Sequence, residues 1–518
     1  MPYTTTNFKF LRDGRLLLLI GLLILICMYD LLSPPISVTI FRQTQTAMLT
    51  ENFVKEGFSL SGLYLGLKGN DKYMLVLEFP IYNFVVGLLF YIFNHNPFWG
   101  KIVSLMSSVF TLVVFYRLIK STFDDSIAFY SALFFILTPV GVLMYTSFQP
   151  DALGLMFMMC AIFLLNQWRF SLKIRTIALF SISLLFCGLC KFPLLVPYIP
   201  ICALMFFFPK GQFRFPKFLE IIIITALFLL PFVFWYLYRA HITDPTFAGG
   251  ETSAFLIGNL GRFLSLSYYF KPAIMLIMLT FCGIGILYFG LGFHRASFKE
   301  VALIMGFPLY FVVVPTVSDQ YYYLLAIVPI TALFMGRGFM FALDYFKYHR
   351  VGFIGHTLFA CYLMFFAFGV TYVLRMDNVI LPASEAMQQV SKPDDLIFVV
   401  PMHDRGNGVG GSNPTVTYFT KRNGWNVQKF NPKNLSETIT QIEDKQKQGS
   451  KWLFVTWYTS DVEPWYSPVL PKRFKRKLDF DSEAIADELK RRYPVARSGK
   501  NFAILSLGVT SPLKGRKE

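Results

Sequence analysis

Apolar runs dominate the first three quarters of the chain. They start at Leu16, Phe79, Phe98, Ile127, Leu153, Ile177, Phe192, Phe218, Ala273, Val301, Tyr321 and Val351. A helix needs about 20 apolar residues to cross a bilayer, and several of these runs are shorter, so length alone does not count the crossings. After about Leu374 the pattern turns polar. Leu396–Val400 is a buried-strand run, Leu435–Lys447 is helical with a Glu/Lys face, and Trp452–Thr456 is a second strand. Ser482–Arg492 is again helical and Phe502–Ser506 closes with a strand. This alternation predicts a small α/β sandwich over 376–518, long enough for one domain.

Composition fixes the class. Of 518 residues, 55% are hydrophobic and only 15% charged, where soluble proteins carry roughly a quarter. The chain is a polytopic membrane protein. Its net charge of +17 sits mostly in loops between the apolar runs, where it marks topology and meets membrane lipids rather than nucleic acid. Lys9, Arg12 and Arg15 place the N-terminus inside. If Phe79–Phe93 crosses, every later basic cluster falls outside. If it lies along the outer interface, as its Tyr82 and Tyr91 suit, every cluster falls inside together. The expected architecture is mainly α: about eleven crossings plus interfacial helices over 1–375, with 31–97 as an external first loop. The α/β domain over 376–518 is then external.

All seven cysteines lie in apolar runs and read as small buried hydrophobes, Cys187-x-x-Cys190 included. The first loop is unusual for its density of polar residues, from Arg42-Gln-Thr-Gln-Thr-Ala47 to Glu56, and predicts a short helix over Thr46–Glu56. Arg42 suits a lipid phosphate, because guanidinium presents a fork of donors, or it snorkels to headgroups. Glu78, before Pro80, is a candidate base or a helix-start carboxylate favoured by the dipole. Asp151 opens a helix after Gln149-Pro150, as a cap or a second acid. Asp319 precedes Tyr321 and Tyr322 at another external turn, where an aromatic belt is the alternative. Lys191, between two apolar runs, is costly at membrane depth unless paired or snorkelled. The loop His403–Pro414 has glycines without the spacing of a dinucleotide site, and Pro471–Lys477 reads as a solvated basic run.

Taken in order, Arg42–Ala47, Glu78-Phe-Pro80, Gln149-Pro-Asp151 and Asp319-Gln-Tyr-Tyr322 resemble the GT-C glycosyltransferases. The branch is that of the bacterial protein O-mannosyltransferases and lipid A aminoarabinose transferases, glycosyltransferase families 39 and 83. The resemblance covers about Leu16 to Met340. It implies a polyprenyl-phosphate sugar donor, a lipid, glycan or protein acceptor, and a multi-pass enzyme of the bacterial inner membrane acting on its external face. In that scheme an acceptor hydroxyl attacks the anomeric carbon, a first-loop carboxylate assists, and cations hold the phosphate. Relatives often carry Asp where this chain has Gln45, which accepts no proton. The base therefore moves to Glu78, with Glu51 in reserve and Asp151 as second acid. Arg42 and Lys191 are the phosphate candidates, and Gln43, Gln45, Asp319, Tyr321 and Tyr322 are further substrate contacts. The resemblance names no certain cofactor and leaves room for a divalent metal. A transporter or flippase of lipid-linked glycans, or a non-catalytic polysaccharide-assembly protein, are the competing classes; few charges deep in the helices argue against the first.

Overall fold

The computed structural model describes residues 13–508 apart from 38, 245–265, 295, 315–319, 375–378, 403–412, 428–434 and 458–481. Asp319, the His403–Ser412 loop and the Pro471–Lys477 run therefore lie outside the described residues. The chain forms two compact units. One holds residues up to Pro35 and Val76–Leu374; the other holds Ile36–Leu75 and the residues from Arg375 onward. Most of the first loop thus belongs to the same unit as the C-terminal residues.

In the helical unit, seven described stretches are long and apolar enough to cross a membrane, and the pair Asp125–Ile136 and Pro139–Thr146, bent by 71°, makes an eighth if it is one span. The runs expected at Ile177 and Phe192 form a single apolar stretch, Ile174–Phe207, but it folds back on itself. It starts just after Leu172, which caps the Asp151–Ser171 helix, and near its end Phe206 stacks on Trp168 of that same helix at 5.2 Å. The reversal is at Lys191–Tyr198, where two prolines stand in a 3₁₀ segment. Proline has no N–H to donate and clashes with the carbonyl four residues back, so a helix cannot run through Pro193.

The helix Ile81–Ile92 packs at one end of the unit. Tyr82 near its start and Phe90 near its finish both pack on Phe148, at 5.8 and 6.3 Å. Basic residues gather at the other end. Lys120 pairs with Asp13 and Asp125, Arg337 pairs with Glu300 and covers Phe123, and Arg214 pairs with Glu220 and lies over Trp168. Two helices leave most of their surface uncovered, Phe218–Ile242 with 11% and Gly352–Val373 with 22% of the apolar window buried. For a helix this apolar, lipid is the matching solvent.

In the second unit, the first-loop residues form a helix, Ile40–Lys55, and a hairpin of β1 (Tyr64–Lys68) and β2 (Asp71–Met74). The helix begins six residues before the expected Thr46. Its polar residues are buried because Thr44, Thr46 and Thr50 each satisfy their hydroxyl on the carbonyl four residues back, at 2.8–3.0 Å. The main sheet has β3 (Leu396–Pro401), β4 (Gly424–Asn426), β5 (Ser450–Thr456), β6 (Val495–Gly499) and β7 (Phe502–Ser506), in the order β4-β3-β5-β7-β6. β3 is parallel to β4 and β5, and β7 is antiparallel to β5 and β6. Alternate residues face opposite layers. Phe398, Val400, Leu453 and Val455 pack with Ile442 and Leu489, whereas Ile397, Val399, Phe454 and Ile504 pack with Ile36, Ala383 and Met387. The predicted helices and strands are all present. Sequence pattern missed the helices Ile380–Val390 and Thr415–Thr420, the hairpin β1–β2 and the short strands β4 and β6.

Candidate active site

The site is built where the fold-back of Ile174–Phe207 meets Glu78. Pro193 lacks the N–H that would bond the carbonyl of Leu189, and that carbonyl instead accepts from the N–H of Phe79 at 3.0 Å. Glu78 is thereby fixed beside Lys191, and the two side chains pair at 3.0 Å. From the other side the Arg239 guanidinium donates to the carbonyl of Leu77, and the Phe79 ring packs edge-on against Trp235 at 4.6 Å. Thr243, at the end of the Leu230–Ile242 helix, donates to the carbonyl of Val76 at 3.3 Å. The segment Val76–Phe79 is therefore held along its length.

Asp151 is the first residue of its helix, and one carboxylate oxygen lies 3.9 Å from the Lys191 ammonium. Lys191 also faces the rings of Tyr322 and Tyr323, 5.5 and 5.4 Å from their centroids, a cation–π arrangement. These tyrosines belong to a second 3₁₀ segment, Tyr321–Ile327, whose carbonyls at Tyr323 and Ala326 are held by the hydroxyls of Tyr310 and Tyr198 at 2.7 and 2.8 Å. The helix Phe298–Val313, which carries Tyr310, lies close against the first 3₁₀ segment: a Cβ on Gly306 would collide with the carbonyl of Pro197. The Lys191 and Asp151 side chains are 5% and 2% exposed, and Glu78 is 18% exposed. Glu78 is the carboxylate that reaches the surface of the cluster; Asp151 lies behind the ammonium.

The structure thus brings together Glu78, Asp151, Lys191 and Tyr322, with Tyr321 buried in the same turn. Arg42, Gln43, Gln45 and Glu51 belong to the other unit. There the Arg42 guanidinium donates to the Gln45 amide oxygen, and Gln43 donates to Ser37 at 2.8 Å and Thr39 at 3.2 Å. Glu51 pairs with Lys421 at 3.0 Å. Sequence reasoning missed Arg239, Tyr323 and Trp235. Arg239 carried a signal: it is a cation at the end of an apolar run where the charge sorting leaves few. Among the described residues no group of three or more His, Cys, Asp and Glu gathers that would hold a metal. The cation between Glu78 and Asp151 is the Lys191 ammonium.

Compared with known proteins, residues 78–236 match the family model of dolichyl-phosphate-mannose-protein mannosyltransferases. The matched stretch begins at Glu78 and includes Asp151 and Lys191. No curated protein sequence matches the chain. Among solved structures, ArnT from Cupriavidus metallidurans bound to undecaprenyl phosphate superimposes with a TM-score of 0.60 at 10% identity, over 97% of this chain and 99% of that one. The GT-C fold is what these two chains share. The Archaeoglobus fulgidus oligosaccharyltransferase tethered to an acceptor peptide also aligns, with a TM-score of 0.55 at 10% identity, over 86% of this chain and 69% of its own. Within that fold, the segment Val76–Phe79, the start of the Asp151–Ser171 helix and the two 3₁₀ segments are the features that build the Lys191 cluster.

Proposed function

We propose that the chain is a membrane glycosyltransferase that moves a sugar from a polyprenyl-phosphate donor to a hydroxyl of a lipid, glycan or protein. The observation that carries this reading is the Glu78–Lys191–Asp151 cluster at the end of the helical unit opposite the basic clusters. In the reaction the acceptor oxygen bonds to the anomeric carbon as the bond from that carbon to the phosphate oxygen breaks. The acceptor proton passes to Glu78, the more exposed carboxylate, and polyprenyl phosphate leaves. Lys191 stabilises the charge that develops on the departing phosphate, and Asp151 holds Lys191 in place. Two carboxylates and one ammonium alone would repel a phosphate. Arg239, bonded to the carbonyl next to Glu78, brings the local sum to zero and removes that net repulsion.

The same reading places the cluster and the α/β unit on the external face of a bacterial inner membrane, with the N-terminus cytoplasmic. Charge sorting supports it, because the ion-paired basic residues gather at the opposite end. Sidedness is testable with Gln448→Cys, an exposed position in the second unit, which has no cysteine of its own. A membrane-impermeant thiol reagent should label it in intact spheroplasts. Labelling only after lysis would invert the assignment. Activity is tested with purified protein in nanodiscs, given polyprenyl-phosphate sugars and assayed for release of polyprenyl phosphate. No release by the wild type would refute the transferase reading, and release that is equal in wild type and Lys191→Met would remove Lys191 from the chemistry.

A further inference from the structure

A second buried ionic cluster lies at the same end of the helical unit and touches none of the groups just described. Asp30 lies in the last turn of the first apolar helix, Gly14–Leu32, and Lys101 lies in the first turn of Phe98–Thr122; their side chains are 2% and 1% exposed. The Lys101 ammonium donates to the Asp30 carbonyl at 2.5 Å and to its carboxylate at 3.1 Å, and Thr146 donates to the same carboxylate oxygen at 2.7 Å. Thr146 is the last residue of its helix and is separated from Asp151 by four residues of turn.

The other half of that turn is held by the next residue on the same helix face. Ser104, three positions after Lys101, donates to the Ser147 carbonyl at 2.6 Å and reaches that of Gln149 at 3.4 Å. The Phe148 ring lies on Gly100, where a Cβ would collide with it. Tyr82 completes the set, its hydroxyl within 2.7 Å of the Gly100 carbonyl and 3.1 Å of the Ser104 hydroxyl. Tyr82 is four residues beyond Glu78. One helical turn, Gly100–Ser104, therefore anchors both the turn that ends in Asp151 and the helix that follows Glu78.

We propose that the Asp30–Lys101–Thr146 cluster is a positioning device that fixes Asp151 against Lys191. It rests on the transferase reading for its effect on turnover but not for its effect on geometry. A buried ion pair is poor value as a stabiliser, since an apolar pair of similar volume serves as well. What the apolar pair cannot do is accept the Thr146 hydrogen bond in one defined place.

The test uses full-length protein in nanodiscs. Thr146→Val keeps shape and removes the bond; Thr146→Ser restores it. In a cryo-EM structure of Thr146→Val, Asp151 should move away from its 3.9 Å contact with Lys191. Turnover should fall by roughly ten- to a hundredfold, the scale of an ångström-level misplacement, with donor KM unchanged. Thr146→Ser should return both to wild type. The double variant Asp30→Leu with Lys101→Met should stay folded and show the same loss of turnover as Thr146→Val. An unmoved Asp151 with wild-type turnover in Thr146→Val, or a lower melting temperature with unchanged turnover, would overturn the proposal. If wild type itself transfers no sugar, the transferase reading fails, and the position of Asp151 alone decides this one.

Discussion

Two lysines in the helical unit are buried at the same end, and they are held in opposite ways. Lys101 is closed: carbonyl, carboxylate and, through that carboxylate, Thr146 surround one ammonium, and both partners are almost fully hidden. Lys191 is shared: two carboxylates from different segments lie at 3.0 and 3.9 Å, two aromatic faces stand at about 5.5 Å, and Glu78 keeps an exposed edge. A charge buried with one dedicated partner fixes structure. A charge divided between partners, at unequal distances and next to solvent, can exchange one of them for a ligand. That contrast is the ground on which Lys191, and not Lys101, is proposed as the cation that serves the reaction.

The sharpest way to break this comparison is to remove each ammonium in turn. Lys101→Met leaves the Asp30 carboxylate buried and unpaired, which costs about 3–5 kcal/mol, enough to prevent a stable fold. Lys191→Met leaves two neighbouring carboxylates, one of which can take up a proton, so the fold should persist. Turnover should nevertheless fall by about 10²–10³, the usual cost of removing an electrostatic stabiliser. Size-exclusion profiles and turnover per folded molecule read the two effects. If Lys101→Met folds normally while Lys191→Met does not, the roles are reversed.

Glu78→Gln sharpens the shared site. It keeps shape and removes the proton acceptor, so turnover should fall by about 10²–10⁴ with donor affinity largely retained. Asp151→Asn, behind the ammonium, should affect turnover less and donor affinity more, because it loosens Lys191. Equal effects of the two in both measurements would mean that neither acts as the base.

Arginine offers a smaller contrast. Arg239→Lys keeps charge but loses the fork that bonds the Leu77 carbonyl, and Arg42→Lys loses the fork directed at Gln45. If both serve the donor phosphate, each Ala variant should weaken undecaprenyl-phosphate binding by about ten- to a hundredfold, and each Lys variant by less. Binding is read by native mass spectrometry. An Arg42→Ala variant that binds as wild type does would strike Arg42 from the phosphate candidates.

The apolar runs were legible in the sequence because lipid leaves a strong signal. Glu78, Asp151 and Lys191 could be chosen singly, since each is a charge where charge is costly. What brings them together could not be read. It depends on Pro193 releasing the Leu189 carbonyl to Phe79, a contact across more than a hundred residues. The first-loop helix was read as starting six residues late for a local reason. A run of Thr and Gln breaks the apolar pattern, but threonines that bond back to their own helix can be buried in it, as those of Ile40–Lys55 are. The strands β4 and β6 were too short, or too polar, to leave a pattern.

A third lysine–carboxylate pair, in the α/β unit, extends the contrast to the surface and carries the smallest effect. Lys451 lies 2.8 Å from Asp395, but the lysine is 62% exposed while the carboxylate is 8% exposed. Burial alone pushes the Asp395 carboxyl up. Hydrogen bonds from Lys451, from the Trp452 indole at 3.0 Å and from the Lys392 backbone at 2.9 Å outweigh it and hold the group down at about 2. A carboxylate lowered on folding adds stability that is complete above the ordinary carboxylate range. That stability is lost as pH falls from about 5 towards 2. Asp395→Asn should therefore cost about 1–2 kcal/mol at pH 7, and the gap to wild type should shrink as the pH is lowered through that window. Lys451→Met should cost less than about 1 kcal/mol, because water screens an exposed ammonium and the indole and backbone donors remain. Thermal melts of the full chain, followed by tryptophan fluorescence from pH 7 down to pH 4, measure the onset of that shrinkage. A Lys451→Met penalty as large as that of Asp395→Asn would show that an exposed lysine can hold a carboxylate as firmly as a buried one, and would undo the distinction drawn between Lys101 and Lys191.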